Sequence, residues 1–187
     1  MGMESGAAGW ENLSWITATL AIGGSFNDDH VAQLARRHRV RAIVDLRVEA
    51  CDDEATLRQH GIRFLHLPTE DGCGVSLPML EQGVRFVGEH LARDQRVFIH
   101  CEYGIGRSAT LALCVLVSRG LAPLDALALA KDRREVMSPS PAQFEAWATW
   151  LRAWRDRHRP RWEPPSFEAF RAIAYRHLPT GGVGTGR

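Results

Sequence analysis

The sequence has little net charge, few cysteines and no long apolar run. Its 23 Lys and Arg stand against 22 Asp and Glu, so no global field points to nucleic acid or to a membrane surface. Its 4 cysteines show neither paired zinc spacing nor a dense disulfide framework. No apolar run approaches the ~20 residues that a membrane span needs. These absences predict a cytoplasmic protein without a transmembrane segment.

The length and composition indicate one globular domain with extensions. With 187 residues, of which 45% are hydrophobic, the chain is long enough for a core of its own. Residues 1–13 show no export signal and predict a flexible N-terminus. We expect the main domain over residues 14–158 and an extension over residues 159–187, with a short helix and a disordered end. This basic extension is either a solvated appendage or a docking site for an acidic partner or lipid headgroup.

The apolar pattern predicts an α/β protein. Short β-branched runs alternate with segments whose apolar residues recur every three or four positions, as strands and helices require. The predicted strands cover residues 15–24, 41–46, 62–67 and 97–99, and the main predicted helices cover residues 77–92, 108–119 and the segments beginning at 123 and 140. This order implies a mixed, mainly parallel central sheet with helices on both faces.

The helix after Ser140 has a clear N-terminal signal and a clear core stripe. Ser140 and Gln143 form a capping box around Pro141. The predicted stripe consists of Phe144, Trp147, Leu151 and Trp154. Trp150 falls off this stripe, so we expect it to cover a sheet edge or a partner surface.

The strongest functional signal is a loop between the strand at residues 97–99 and the buried helix that follows it. Five residues separate Cys101 from Arg107, and Gly104 and Gly106 supply turn conformations that other side chains resist. Backbone N–H groups of such a loop form a cup for an oxyanion, and the helix N-terminus and Arg107 add positive charge. The residues predicted to bind a phosphate are Glu102, Tyr103, Gly104, Ile105, Gly106 and Arg107. In this field we expect Cys101 to be a thiolate at neutral pH.

A candidate proton donor lies in the loop after the strand at residues 62–67. A thiolate that attacks a phosphate monoester needs a carboxylic acid to protonate the leaving oxygen. Asp71 is the candidate, and the neighbouring Glu70 is the alternative. A third interpretation is that both carboxylates face solvent or cap the next helix. Cys73 is a candidate thiol to trap an oxidised Cys101 as a disulfide, with a loop residue of no role as the alternative.

The residues His100, Cys101, Arg107 and Ser108 match the His-Cys-x5-Arg-Ser/Thr signature of the cysteine-dependent protein tyrosine phosphatase superfamily. Over roughly residues 14–154 the chain resembles the small dual-specificity phosphatases of that superfamily. The resemblance makes the main domain a catalytic domain, with the phosphate-binding loop between a strand and a buried helix. It implies no metal and no cofactor.

The resemblance also implies a mechanism. Cys101 attacks phosphorus to give a cysteinyl-phosphate, and Asp71 protonates the leaving oxygen and then activates water. Arg107 stabilises the equatorial oxygens, and Ser108 stabilises the sulfur as a leaving group. His100 orients the loop through a backbone contact or is simply a packed strand residue.

The substrate class remains open at this point. Phosphotyrosine, phosphoserine and phosphothreonine proteins are expected from the resemblance to the dual-specificity enzymes. Phosphoinositides or phosphatidylglycerophosphate are the alternative, although Glu102 beside the cup argues against highly anionic substrates. A non-catalytic phosphate-binding module is a third interpretation, which conflicts with the presence of Cys101, Arg107 and an acid.

Three polar residues of the C-terminal half stay outside the predicted site. Arg133 and Arg134 suit a substrate contact and a solvated helix end equally well. Gln143 is explained by its capping role.

Overall fold

The structure is a computed structural model that describes residues 12–178. The expectations for the first 11 residues and for residues 179–187 lie outside the described part of the chain. The strands are β1 (Leu13–Trp15), β2 (Leu20–Gly23), β3 (Val40–Arg47), β4 (Arg63–Thr69) and β5 (Arg96–His100). The helices are α1 (Val31–Arg36), α2 (Glu54–Gln59), α3 (Leu77–Leu91), α4 (Arg107–Ser118), α5 (Pro123–Arg133), α6 (Pro141–His158) and α7 (Phe167–Ala174).

The strands form one sheet in the order β1-β2-β5-β3-β4. β2, β5, β3 and β4 pair in parallel, whereas β1 pairs with β2 antiparallel. This arrangement confirms the predicted α/β class with a mixed, mainly parallel sheet. The carboxyl ends of β3, β4 and β5 therefore meet at one edge, where an α/β sheet usually binds its ligand.

The prediction of one first strand over residues 15–24 is wrong, because residues 13–23 form a hairpin of β1 and β2. The Thr17 hydroxyl accepts hydrogen bonds from the backbone N–H groups of Thr19 and Leu20, at 3.3 and 3.0 Å. Such side-chain bonds to nearby backbone groups stabilise turns. The turn separates β1 from β2 and leaves β2 to pair with β5.

Helices cover both faces of the sheet, as the alternation along β5 requires. Val97 and Ile99 face the larger core cluster, to which α3, α4, α5, α6 and α7 contribute. Phe98 faces the smaller cluster, which is closed by α1 and α2. Residues of α4 from Arg107 to Val117 are buried throughout, so α4 is the central helix of the larger layer.

Helix α6 is longer and more deeply buried than its sequence pattern predicts. It continues to His158, one turn beyond Trp154, the last residue of the predicted stripe. The expectation for Trp150 is wrong, because this side chain is only 1% exposed. α6 contacts both α3 and α4, so two sides of the helix are covered instead of one stripe. Trp154, predicted as core, is only partly buried.

None of the helices between residues 12 and 178 is long and apolar enough to cross a membrane.

Candidate active site

The loop between β5 and α4, residues 101–106, wraps around the Cys101 sulfur. The Gly104 N–H donates to Cys101 Sγ at 3.3 Å, and Ser108 Oγ lies 3.5 Å from the same sulfur. Gly104 has φ of +70°, and a Cβ there would lie 2.3 Å from the backbone carbon of Gly23. Glycine is therefore required at this turn both by conformation and by space. Cys101 itself is 3% exposed, at the base of the cup.

The Arg107 side chain is fully buried and held by an acid that the sequence analysis missed. Its Nη1 and Nη2 donate to the two carboxylate oxygens of Glu49, at 2.8 and 2.7 Å. Nη1 also donates to the Thr69 carbonyl at 2.8 Å. Glu49 follows β3, and its position at the carboxyl end of a strand that neighbours β5 is the signal that could have revealed it.

Glu49 and Arg107 each stabilise the charged form of the other. The hydrogen bonds from Arg107 lower the pKa of the Glu49 carboxyl to about 2. Burial has the largest single effect and lowers the pKa of Arg107, but the hydrogen bond to Glu49 and the nearby negative charges together outweigh it, so the pKa of the guanidinium is raised. The Nε atom of Arg107 is buried and has no hydrogen-bond partner among the described residues. The guanidinium is thus fixed and charged, with one donor left over.

Of the two candidate proton donors, Asp71 lies beside Arg107. Its Oδ1 is 3.4 Å from Arg107 Nη2, and its side chain is 68% exposed. Glu70 is also exposed, and its carboxylate accepts a weak hydrogen bond from the Cys73 thiol at 3.8 Å. The role of Asp71 as the acid stays a prediction, as does the trapping of Cys101 by Cys73. Cys73 is exposed, whereas Cys101 is buried.

A buried polar network at the end of β5 supports the phosphate-binding loop. His100 Nδ1 lies 3.3 Å from the Cys101 carbonyl, and His100 Nε2 lies 2.8 Å from Asp52 Oδ2. Arg47 donates to Asp45 and Asp52 at 3.0 and 2.7 Å. Asp45, Asp52 and His100 could together offer three metal-ligand atoms. Arg47 forms ion pairs with both of these carboxylates.

The three nonglycine residues of the loop between Cys101 and Arg107 differ in their surroundings. Glu102 pairs with Arg47 at 3.4 Å and accepts a hydrogen bond from Ser25 Oγ at 3.2 Å. Because the single positive charge of Arg47 is shared with Asp45 and Asp52, this ion pair offsets the charge of Glu102 only in part. Tyr103 and Ile105 are exposed, by 62% and 37%, at the rim of the cup.

Arg134 supports the loop and is not a solvated helix end. It is 7% exposed, and its guanidinium donates to the carbonyls of Gly104 and Tyr103 at 2.7 and 2.9 Å. It also donates to Asn12 Oδ1 at 2.6 Å. Burial lowers the pKa of Arg134. Arg133, by contrast, is exposed.

Gln143 has its predicted capping role and a second contact. Its Oε1 accepts from the Ser140 N–H at 2.8 Å, and its own N–H donates to Ser140 Oγ at 3.2 Å. The side chain is 2% exposed and lies against the loop: a Cβ on Gly106 would be 2.2 Å from Gln143 Oε1. The start of α6 is therefore in direct contact with the loop.

Comparison with known proteins places this arrangement in a family. Residues 22–121 match the family model of a polymorphic toxin system DSP-PTPase phosphatase. The mouse phosphatidylglycerophosphatase and protein-tyrosine phosphatase 1 is 30% identical over 138 residues, which cover 70% of this chain and 71% of that protein. The mouse dual specificity protein phosphatase 8 is 35% identical over 80 residues, 42% of this chain. The match spans only 12% of the length of that relative.

Solved structures show the same fold. Tk-PTP in its active form has a TM-score of 0.69 at 26% identity, covering 75% of this chain and 97% of that one. PTPMT1 in complex with PI(5)P has a TM-score of 0.74 at 23% identity, covering 79% and 99%. Because the family model matches more than half of the chain, this protein belongs to the small dual-specificity phosphatases of the cysteine-dependent protein tyrosine phosphatase superfamily.

Proposed function

We propose that this protein hydrolyses phosphate monoesters through a cysteinyl-phosphate intermediate, and that residues 14–158 carry the activity. The observation that supports this most strongly is the state of Arg107. Glu49 and Thr69 hold its two terminal nitrogens, while its buried Nε has no partner. A buried donor without a partner costs free energy unless a ligand satisfies it. A phosphate oxygen beside Cys101 is the ligand that suits it.

In the first step the Cys101 thiolate attacks phosphorus. The Sγ–P bond forms as the bond to the leaving oxygen breaks, and Asp71 gives its proton to that oxygen. Arg107 and the loop N–H groups stabilise the charge on the other phosphate oxygens. The exposure of Asp71 suits this role, because the acid must meet a leaving group that extends toward solvent.

In the second step water attacks the cysteinyl-phosphate. Asp71 accepts a proton from the water, the Sγ–P bond breaks, and inorganic phosphate leaves. The Ser108 hydroxyl, 3.5 Å from Cys101 Sγ, donates a hydrogen bond to the departing thiolate. His100 holds the Cys101 carbonyl, so the sulfur returns to the same position for the next cycle.

Phosphorylated proteins, on tyrosine or on serine and threonine, are the proposed substrates. A second candidate is a phospholipid monoester, which the name of the mouse phosphatidylglycerophosphatase relative favours. A cytoplasmic location is part of the proposal and rests on the four free cysteines.

The test combines one variant with one substrate panel. Cys101→Ser is expected to lose turnover of an aryl phosphate while it still binds vanadate, because a serine hydroxyl does not ionise in this field. Turnover by the unaltered chain is expected to be the same with and without a chelator. Phosphopeptides, phosphoinositides and phosphatidylglycerophosphate then rank the substrate classes by kcat/KM. Wild-type turnover in Cys101→Ser, or activity lost to a chelator and restored by metal, would contradict the proposal.

A further inference from the structure

The C-terminal helix α7 packs into the core, beyond the region that the family model matches. That match ends at residue 121, whereas α7 covers Phe167–Ala174. Phe170 and Ala174 are fully buried in the larger core cluster. The Phe170 ring lies 4.8 Å from that of Phe144, a residue of the first turn of α6. The helix is therefore attached to the part of α6 that contacts the phosphate-binding loop.

Polar contacts join the end of α7 to residues 135–140, which we call the bridge segment. The Tyr175 hydroxyl donates to the Pro139 carbonyl at 2.6 Å. Lys131, the single lysine of the chain, donates from its buried Nζ to the carbonyls of Glu135 and Met137, at 2.5 and 2.6 Å. The same Nζ lies 2.6 Å from Nδ1 of His177. The Tyr175 hydroxyl thus holds one carbonyl of the bridge segment, and Lys131 of α5, which contacts His177, holds two more.

On its other side, the bridge segment contacts both loops of the candidate site. The Ser138 N–H donates to the Ile105 carbonyl of the phosphate-binding loop at 3.0 Å. Ser140 Oγ donates to the Gly72 carbonyl at 2.7 Å, next to Asp71. Gly74 then lies so close to the start of α6 that a Cβ would be 2.8 Å from the Ala142 carbonyl. One point of the loop that carries Asp71 therefore contacts the bridge segment at Ser140, and a second point contacts the start of α6.

We propose that Tyr175 is a positioning residue that sets the place of Asp71 through the bridge segment. Its hydroxyl fixes the Pro139 carbonyl, and the next residue, Ser140, holds the Gly72 carbonyl. The loop with Asp71 is exposed and has no helix or strand of its own, so its position depends on such external contacts. This proposal rests on the proposed function, because it assigns a consequence to the position of the acid.

The test is the variant Tyr175→Phe, which removes the hydroxyl and keeps the ring. With phenyl phosphate, whose leaving group needs a proton, kcat is expected to fall about 3- to 10-fold. With 4-nitrophenyl phosphate, a far better leaving group, the expected change is less than about 2-fold. The KM for both substrates and the affinity for vanadate are expected to stay as in the unaltered chain, because the phosphate-binding loop keeps its own contacts.

The matched control is Arg176→Gln, which breaks an exposed ion pair between the same helix end and Asp132. Because that pair does not touch the bridge segment, the ratio of the two substrates is expected to stay constant. His177→Ala provides a second variant that loosens the bridge segment through Lys131, and it is expected to change the ratio in the same direction as Tyr175→Phe. If Tyr175→Phe does not fold, His177→Ala replaces it in the same assays.

Hydrogen exchange of the peptide over residues 70–76 gives a readout that does not require activity. Exchange there is expected to be faster in Tyr175→Phe and unchanged in Arg176→Gln. Equal losses with both substrates, or unchanged exchange over residues 70–76, would overturn the positioning role. An inactive unaltered chain would instead contradict the proposed function, and the exchange comparison would still decide whether Tyr175 holds the loop.

Discussion

Replacement of Glu49 tests whether its hydrogen bonds hold Arg107 in place for phosphate binding. Glu49→Gln keeps the size of the side chain and one acceptor oxygen but removes the charge and one of the two hydrogen bonds to the guanidinium. A hydrogen bond to a charged group contributes about 1.5–3 kcal/mol. Because the Glu49 side chain is 42% exposed, solvent screening reduces this to about 1–2 kcal/mol.

A loss of that size corresponds to a fall in kcat/KM of about 5- to 30-fold, since about 1.4 kcal/mol is tenfold in rate. The assay is steady-state hydrolysis of 4-nitrophenyl phosphate, with vanadate binding measured in parallel. Both quantities are expected to weaken, because Arg107 contacts the phosphate in the ground state and the transition state. Glu54→Gln, an exposed acid on α2, is the control. If Glu49→Gln equals this control in both measurements, Arg107 does not depend on Glu49 for phosphate binding.

Three further predictions follow from the same structure. Asp71→Asn is expected to lower kcat about 10²- to 10⁴-fold on a poor leaving group and less on nitrophenolate; a larger effect of Glu70→Gln would identify Glu70 as the acid instead. Burial lowers the pKa of Lys131 from 10.5 to about 8. Between these two pH values the folded chain therefore binds fewer protons than the unfolded chain. The free energy of unfolding is expected to rise with pH across that window. Denaturant titrations should show that rise relative to Lys131→Met, and parallel curves for the two proteins would refute it. Peroxide inactivation is expected to be reversed by thiol with a Cys73–Cys101 bridge in the peptide map, whereas identical sensitivity and recovery in Cys73→Ser would exclude Cys73 as the trapping thiol.

The parts of the structure that the sequence predicts well are those that depend on local patterns. The strand before Cys101, the buried helix after Arg107 and the cap at Ser140 each carry their signal within a few residues. The two glycines of the loop mark the turn by their lack of a side chain. These local features suffice for the fold class and for the position of the phosphate-binding loop at the sheet edge.

The contacts that could not be predicted join distant positions. Glu49 and Arg107 are 58 residues apart, and Arg134 reaches Tyr103 from 31 residues away. Nothing local distinguishes Glu49 from other acids, because its role depends on β3 lying next to β5. The burial of Trp150 is unpredicted for a related reason: a single apolar stripe describes a helix with one covered side, whereas α6 is covered on two sides.

In the proposed reaction Cys101 carries the phosphoryl group during turnover. Asp71→Asn slows the second step as well as the first, so a good leaving group such as 4-nitrophenolate lets the intermediate accumulate in this variant. Rapid quenching in acid followed by peptide mass spectrometry locates the phosphoryl group. One phosphoryl group is expected on the peptide that contains Cys101, and none is expected in Cys101→Ser. A phosphoryl group on any other residue, or hydrolysis in a burst without a phosphorylated Cys101 peptide, would contradict the proposed reaction.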